Sequence, residues 1–330
     1  MTGQVWATAA EGGYLYSDEL SDTLRSTVQP LTKFRQCCDA EDGTQKGLHR
    51  GETFNWNVYS NVGTQGRELL EHLPMPETNF TITQASMTIT EYGNSVPYTK
   101  KLDNLGKQDV VTIIDKQLKN DARKLFDIVS YLEFNATPLR VAPSGGNSTD
   151  SVTLSTGGTT AITNNIGLGA DHVKAISDVM KTRDIPPYMG DDYCCISSVT
   201  TYRPFKDDLE AIHHYTETGL GLIMHGEIGR YEGIRFVEQN FIPEGGANDT
   251  TTFDAYTRTA DEWHNAKSSW AFFFGADTVT EAIGVPEEIR AKIPGDYGRS
   301  RGVAWYYLGG FKIIHADVTN ARIVKWDSAA

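Results

Sequence analysis

The stretch Asp109–Ala136, DVVTIIDKQLKNDARKLFDIVSYLEFNA, is the part of the sequence from which the rest is best read. Val111, Ile114, Leu118, Ala122, Leu125, Val129, Leu132 and Ala136 recur at spacings of three and four, the period of one helix face. Asp109 stands where an N-cap belongs, after the breaker Gly106, and Pro138 stands where a helix has to stop. Such a helix is about 42 Å long at about 1.5 Å per residue, enough to lie across a whole domain. Lys116, Lys119, Arg123 and Lys124 fall on its hydrophilic face, where Asp115, Asp121 and Asp127 are expected to balance them.

On the N-terminal side, the first 47 residues read as an arm. Ser17 can cap a short helix bearing Leu20, Leu24 and Val28, and Leu31 to Cys38 reads as an extended piece after Pro30. A two-stranded element follows, with Phe54, Trp56 and Val58 alternating in one run, and Phe80, Ile82, Met87 and Ile89 in the other. The change of phase between Ile82 and Met87 predicts a bulge or bend near Gln84. The connector from Ser60 to Glu77 carries Gly63, Gly66, Arg67, Glu68, Glu71, Pro74 and Pro76 and is too long for a tight turn, so it should project. A projecting hairpin has little core and needs another surface, for which a neighbouring subunit is a candidate. A hairpin folded back on its own domain is the competing reading.

On the C-terminal side, Pro138 to Asn165 is rich in Ser, Thr and Gly and reads as a surface loop or insertion, with a small hairpin around Gly157-Gly158. From Ala170 the elements alternate. A helix carries Val173, Ile176, Val179 and Met180, a strand spans Tyr193 to Val199, and a second helix follows Pro204. A strand pair surrounds Gly233, Ser269 to Phe274 is an apolar strand, and Gly302–His315 and Ala321–Trp326 supply late strands.

The 330 residues are 39% hydrophobic and 22% charged, the composition of folded globular chains. No apolar run reaches the eighteen or so residues of a membrane span. The first residues lack a signal peptide's basic start and apolar core, so the protein is expected to work where it is made. Cys37-Cys38 and Cys194-Cys195 are vicinal pairs, unsuited to a disulfide framework or a metal knuckle, and read as buried thiols. Acidic residues outnumber basic ones 43 to 30, a net charge of −13 with no basic run, which disfavours tight binding of a phosphate backbone.

Catalytic patterns are weak. His213, His214 and His225 near Glu217 and Glu227 lack the helical spacing of a zinc site. Gly219-Leu220-Gly221 lacks the strand and third glycine of a dinucleotide loop, and Asp207-Asp208 at a helix start is explained by the helix dipole. No cofactor or metal is expected.

The order of parts, with certain stretches inside them, resembles the Hong Kong 97-like major capsid proteins of tailed bacteriophages. Those stretches are Glu91-Tyr92-Gly93 leading to Asp103, Tyr202-Arg203-Pro204 followed by Asp207-Asp208-Leu209, the run Gly226 to Val237, and Asp296 to Trp305 with Gly309-Gly310. The resemblance implies an α+β fold with an N-terminal arm (1–47), an extended β-hairpin loop (48–100) and a peripheral domain with the spine helix and surface insertion (101–169). An axial α/β domain (170–285) and C-terminal strands returning to the peripheral domain (286–330) would complete it. It implies a structural, non-catalytic protein that forms hexamers and pentamers of an icosahedral head in the host cytoplasm and becomes part of the virion. The head would enclose double-stranded DNA without sequence-specific binding. Partners would be further copies of the chain, with scaffolding, portal and decoration proteins, and no membrane. Inter-subunit contacts are expected at Trp56, Arg67, Glu68, Glu71, Gly229, Arg230 and Gly233, the two glycines allowing tight turning where backbone approaches closely. An encapsulin-like compartment shell and a soluble α/β hydrolase or binding protein are the alternatives.

Overall fold

The computed structural model describes residues 32–42, 53–63, 66–71, 74–144, 148, 151–157, 166–213, 229–242 and 269–328. The helix expected after Ser17, the second half of the hairpin around Gly157-Gly158, Gly219–Gly221, His214 and His225 lie outside them. In chain order the elements begin with β1 (Asp39–Asp42), β2 (Thr53–Tyr59), β3 (Ile82–Thr88), β4 (Thr90–Thr99), α1 (Lys100–Leu105) and α2 (Val110–Asn135). Then come β5 (Leu139–Pro143), β6 (Val152–Ser155), α3 (Ala170–Thr182), β7 (Tyr193–Ser198), α4 (Arg203–His213), β8 (Arg230–Tyr231) and β9 (Ile234–Gln239). The last are β10 (Ser269–Phe274), β11 (Val279–Ala291), β12 (Ser300–Ile313) and β13 (Ile323–Ser328).

Helix α2 begins and ends where its flanks require. The Asp109 carboxylate accepts the Val111 N–H at 3.1 Å and the Thr112 hydroxyl at 2.5 Å, satisfying donors that an N-terminus leaves open. Its apolar face departs from the expected stripe. Val110, Ile114, Leu118, Ala122 and Phe126 are buried, whereas Val111 and Ala136 are exposed and Leu125, Val129 and Leu132 are half-buried. Beyond Phe126 burial takes in Asp127, Ile128, Ser130, Tyr131, Phe134 and Asn135, so the second half of the helix has little solvent face left.

Two sheets cause this. A four-stranded sheet, in the order β1-β11-β12-β4, packs Val303, Trp305, Tyr307 and Phe311 on the α2 side chains from Val110 to Phe126. A seven-stranded sheet, β6-β5-β13-β10-β7-β9-β8, packs Trp270, Phe272, Phe274 and Ile323 on Ile128, Tyr131 and Phe134. Phe126 and Ile128 are about 200° apart around the helix, so the two sheets need different sides of it. The other face of the larger sheet is covered by Val173 and Ile176 of α3 and Phe205 and Leu209 of α4, packed on Phe273, Val324 and Trp326. Both helices lie where expected. They are joined by Asp208, whose carboxylate accepts the Ala170 N–H at the start of α3, a role different from the expected one at its own helix start.

Two further readings are corrected. Leu139–Pro143, expected in a surface loop, is a largely buried strand paired in parallel with β13. Phe34–Cys37, expected to be extended, is a 3-10 turn, with Phe34 fully buried among Tyr131, Phe134, Trp270 and Phe272. The turn is held by Asp127, which accepts the Phe34 N–H at 2.7 Å. Asp127 therefore does not balance the lysines on the exposed face. Asp115 does, pairing with Lys119 at 2.7 Å, and Asp121 accepts the Trp305 indole N–H at 3.0 Å.

Burial pushes the Asp127 carboxyl up to about 7, against the pull of the Phe34, Lys33 and Arg35 amides and the Lys33 charge. Its ordinary value is 3.8, so between about 4 and about 7 the native state holds a proton that the unfolded chain has released. The stability contributed by this group is thus fully present at low pH and declines as pH rises through that window. Asp127→Asn keeps an acceptor for Phe34 and should remove the decline. Urea midpoints of wild type and variant are expected to differ little at about pH 4.5 and to favour the variant at about pH 8. A difference that is constant with pH would refute this.

Candidate inter-subunit surface

Strands β2 and β3 pair antiparallel without interruption from Thr53↔Thr88 to Tyr59↔Ile82. The bulge expected near Gln84 is absent, because Gln84 sits in register opposite Asn57. The phase change has another cause: Met87 and Ile82 point to opposite faces. Met87 joins Phe54 and Ala282 in a small core that fastens the base of the hairpin to β11, while Ile82 lies with Tyr59 on the outer face. Between the inner face and the end of β12 is a cleft of about 240 Å³, lined by Trp56, Val58, Thr83, Ala85, Lys312, His315 and neighbouring residues.

Past this base the described residues of the hairpin form no core. Every described residue from 60 to 81 is exposed except Pro76, which is intermediate. Several are large and apolar: Met75 is 68% exposed, Tyr59 65%, Phe80 and Leu69 55%, and Val62 and Leu70 about half. Isolated exposed apolar residues are ordinary, but a concentration in one projecting element marks a surface that meets another. The competing reading, a hairpin on its own domain, holds for the base only.

At the edge of the seven-stranded sheet, β8 and β9 turn through Glu232 and Gly233. Gly229 has φ +66° and Gly233 φ +76°, a left-handed backbone open to glycine at no steric cost. No close approach is involved, since a Cβ at Gly229 would meet nothing within 4 Å. Arg230 and Arg235 converge on the buried Asp192 carboxylate at 2.5 and 2.8 Å, which ties this edge to the turn before β7.

The described residues contain no group of three His, Cys, Asp or Glu side chains that could hold a metal. All four cysteines are free thiols, with Cys194 and Cys195 buried as expected and Cys37 and Cys38 half-buried. Burial pushes the Cys38 and Cys195 thiols up, away from the nucleophilic thiolate. The larger sheet is mixed, with β10 antiparallel to both neighbours, unlike the parallel sheet of a doubly wound enzyme.

Nearly the whole chain is similar to solved phage capsid subunits. The capsid of cyanophage P-SCSP1u aligns over 96% of this chain and 94% of that one, with TM-score 0.67 at 13% identity. The cyanophage Pam1 capsid aligns over 95% and 96% at TM-score 0.67 and 15% identity. The capsid of Helicobacter pylori bacteriophage KHP30 aligns over 95% of each chain at TM-score 0.64 and 12% identity. The chain has the Hong Kong 97-like capsid fold. No family model and no curated protein matches the sequence, so the likeness is one of structure.

In this Hong Kong 97-like chain the expected contact residues divide between two places. Arg67, Glu68 and Glu71 lie on the exposed connector, and Gly229, Arg230 and Gly233 lie at the β8–β9 edge of the other sheet. Trp56 is half-buried in the hairpin cleft against Phe54, at 6.3 Å between rings, so it faces its own chain. Sequence reasoning missed Ile293 and Tyr297 at the tip of the β11–β12 hairpin, both almost wholly exposed. Their signal was present in Pro294-Gly295-Asp296-Tyr297-Gly298, a turn cluster around an apolar pair. Gly233→Ala should lower stability by about 1 kcal/mol through its positive φ. A urea midpoint equal to wild type, at unchanged slope, would show that this turn relaxes freely.

Proposed function

We propose that this chain is the major capsid subunit of a tailed bacteriophage, whose copies form pentamers and hexamers that close into an icosahedral head around double-stranded DNA. The observation that carries the reading is the hairpin, which projects apolar side chains that one chain cannot cover, in a fold shared end to end with phage capsid subunits. Laid over an adjacent copy, it would bury Tyr59, Leu69, Leu70, Met75 and Phe80. Each fully buried side chain of this size contributes about 1.5–3 kcal/mol. Repeated head-to-tail contacts of this kind close into rings.

In this reading residues 1–47 form the arm, 48–100 the extended loop, 101–169 the peripheral domain, 170–285 the axial domain and 286–330 the returning strands. Arg67, Glu68 and Glu71 would meet the neighbour under the loop, and Arg230 with its flanking glycines would meet copies around the ring axis. The role is structural and not catalytic. Assembly would take place in the host cytoplasm with scaffolding and portal proteins, decoration proteins could bind the outside, and the finished location is the virion.

Deleting Gly63–Pro74 should leave the body folded, since none of the described residues it removes is buried, and should abolish or weaken assembly. Circular dichroism and melting report the fold, and sedimentation reports assembly. Loss of both together would place the connector in the chain's own core. A charge of −13 per chain supports a container that does not grip its contents. Gel shift at about 0.15 M salt should find no submicromolar affinity for duplex DNA, and a tight, steeply salt-dependent complex would overturn the passive lining.

A further inference from the structure

Strand β13 carries Lys325 and Asp327 on the face that meets α2, and both are fully buried. Two charged groups in a core cost stability unless something specific holds them, so their surroundings matter. Lys325 Nζ donates to Asn135 Oδ1, on the last residue of α2, at 2.9 Å and lies 4.0 Å from Asp327 Oδ2. On β5, Arg140 is the register partner of Lys325. Its Nη1 lies 3.4 Å from the same Asn135 oxygen and 3.5 Å from Asp327 Oδ2, and its Nη2 donates to the Asn135 carbonyl at 2.8 Å. The Phe272 ring lies 5.8 Å from Nζ. Asp327 Oδ1 and Arg140 Nε have no hydrogen-bond partner among the described residues.

We propose that Lys325 and Asn135 join in an isopeptide bond inside the folded chain, with Asp327 carrying the proton and Arg140 stabilising the oxyanion. Asp327 takes a proton from the Lys325 ammonium. The freed Nζ electron pair attacks Asn135 Cγ, one bond from the oxygen it already touches, and the carbonyl pair moves onto Oδ1 beside the Arg140 guanidinium. The intermediate collapses as the Cγ–Nδ2 bond breaks. Asp327 delivers its proton to the departing nitrogen and recovers one from Nζ. The products are an amide and ammonia, which leaves as ammonium with the last proton, and no oxidant, reductant or co-reactant is required.

The chemistry suits the site. Burial pushes the Lys325 ammonium down to about 7, although Asp327 pulls the other way, so the nucleophilic amine is available near neutral pH. Completion would replace a buried charged lysine by a neutral amide. The link would span 190 residues and fasten the last strand to the end of the long helix. It concerns a single folded chain and stands apart from the capsid reading.

Tryptic peptide mapping of the purified full-length protein tests it. Acylated Lys325 resists trypsin, so residues 125–140 and 323–330 should appear as one branched peptide, and the intact chain should be lighter than its sequence by one ammonia. Separate peptides with cleavage after Lys325, from chain shown to be folded, would overturn the proposal. So would loss of ammonia confined to Asn135, which is a succinimide. Asp327→Asn, folded by circular dichroism, should give the unlinked peptides; a persisting branch would remove Asp327 from the chemistry. If that variant does not fold, the wild-type map decides alone.

Discussion

The structure depends on one constraint, that a single helix serves two sheets. From Val110 to Phe126, α2 needs only a stripe, because the four-stranded sheet touches one side. From Phe126 onward it is pinned by aromatic rings on both sides. Phe126 meets Tyr307 at 4.7 Å edge-on, Tyr131 meets Trp270 at 5.1 Å, and Phe134 meets Phe274 at 5.2 Å. Rigid, bulky rings in such geometries hold the two sheets at a set distance from the helix axis, and truncating any of them would leave a cavity in a close-packed interior.

A helix with little solvent face left carries polar residues inside with it, and each must then find a partner. The Ser130 hydroxyl donates to the Phe126 carbonyl at 2.7 Å, the local solution open to a helical serine. Asp127 recruits the backbone of Phe34, and Asn135 recruits Lys325 and Arg140. Thus the N-terminal segment and the C-terminal strand are both fastened to α2 through polar groups. Arg35 extends the first attachment. Its guanidinium lies 4.2 Å from the Phe126 ring centroid and 2.7 Å from Glu281 of β11, whose carboxylate also accepts the Tyr307 hydroxyl at 2.9 Å. The helix, the Phe34–Cys37 turn and both long strands of the smaller sheet therefore meet at one partly buried charge, where low dielectric strengthens each contact.

What the sequence made legible follows from range. The ends of α2 were readable because Asp109 and Pro138 act within a few residues, and β7, β10, β12 and β13 were readable from local apolar runs. The helix face beyond Phe126 was not, because an aromatic cluster on two sides has no 3.6-residue signature. The turn at Phe34 depends on Asp127, 93 residues away. Strand β11 was not assigned from sequence: Gly284, Pro286, Glu287 and Glu288 break its apolar alternation where its ladder shifts register, at Ile283/Val285 and Val285/Glu288. Of the expected contact residues, Gly233 was legible as a turn residue. Trp56 was not legible as an inward-facing side chain, since alternation tells two faces of a strand apart without saying which one meets the body.

Identity of 12–15% with subunits that align over nearly all of both chains shows how little of this fold is specified by particular side chains. Cores accept many combinations of apolar residues when volume and pattern are kept, so a helix shared by two sheets can be rebuilt from different aromatics. The turns are less free, because a positive φ admits few residues whatever surrounds it. The hairpin is held differently again. The described residues of its connector are exposed apart from the half-buried Pro76, and its apolar content would be a liability in an isolated chain, since exposed apolar surface invites indiscriminate association. A long projecting element of this composition is sustainable only where a second surface covers it, and in the capsid reading proposed above that surface would be another copy. Its side chains would then answer to the neighbour's surface and could change together with it while the shape of the chain stays the same.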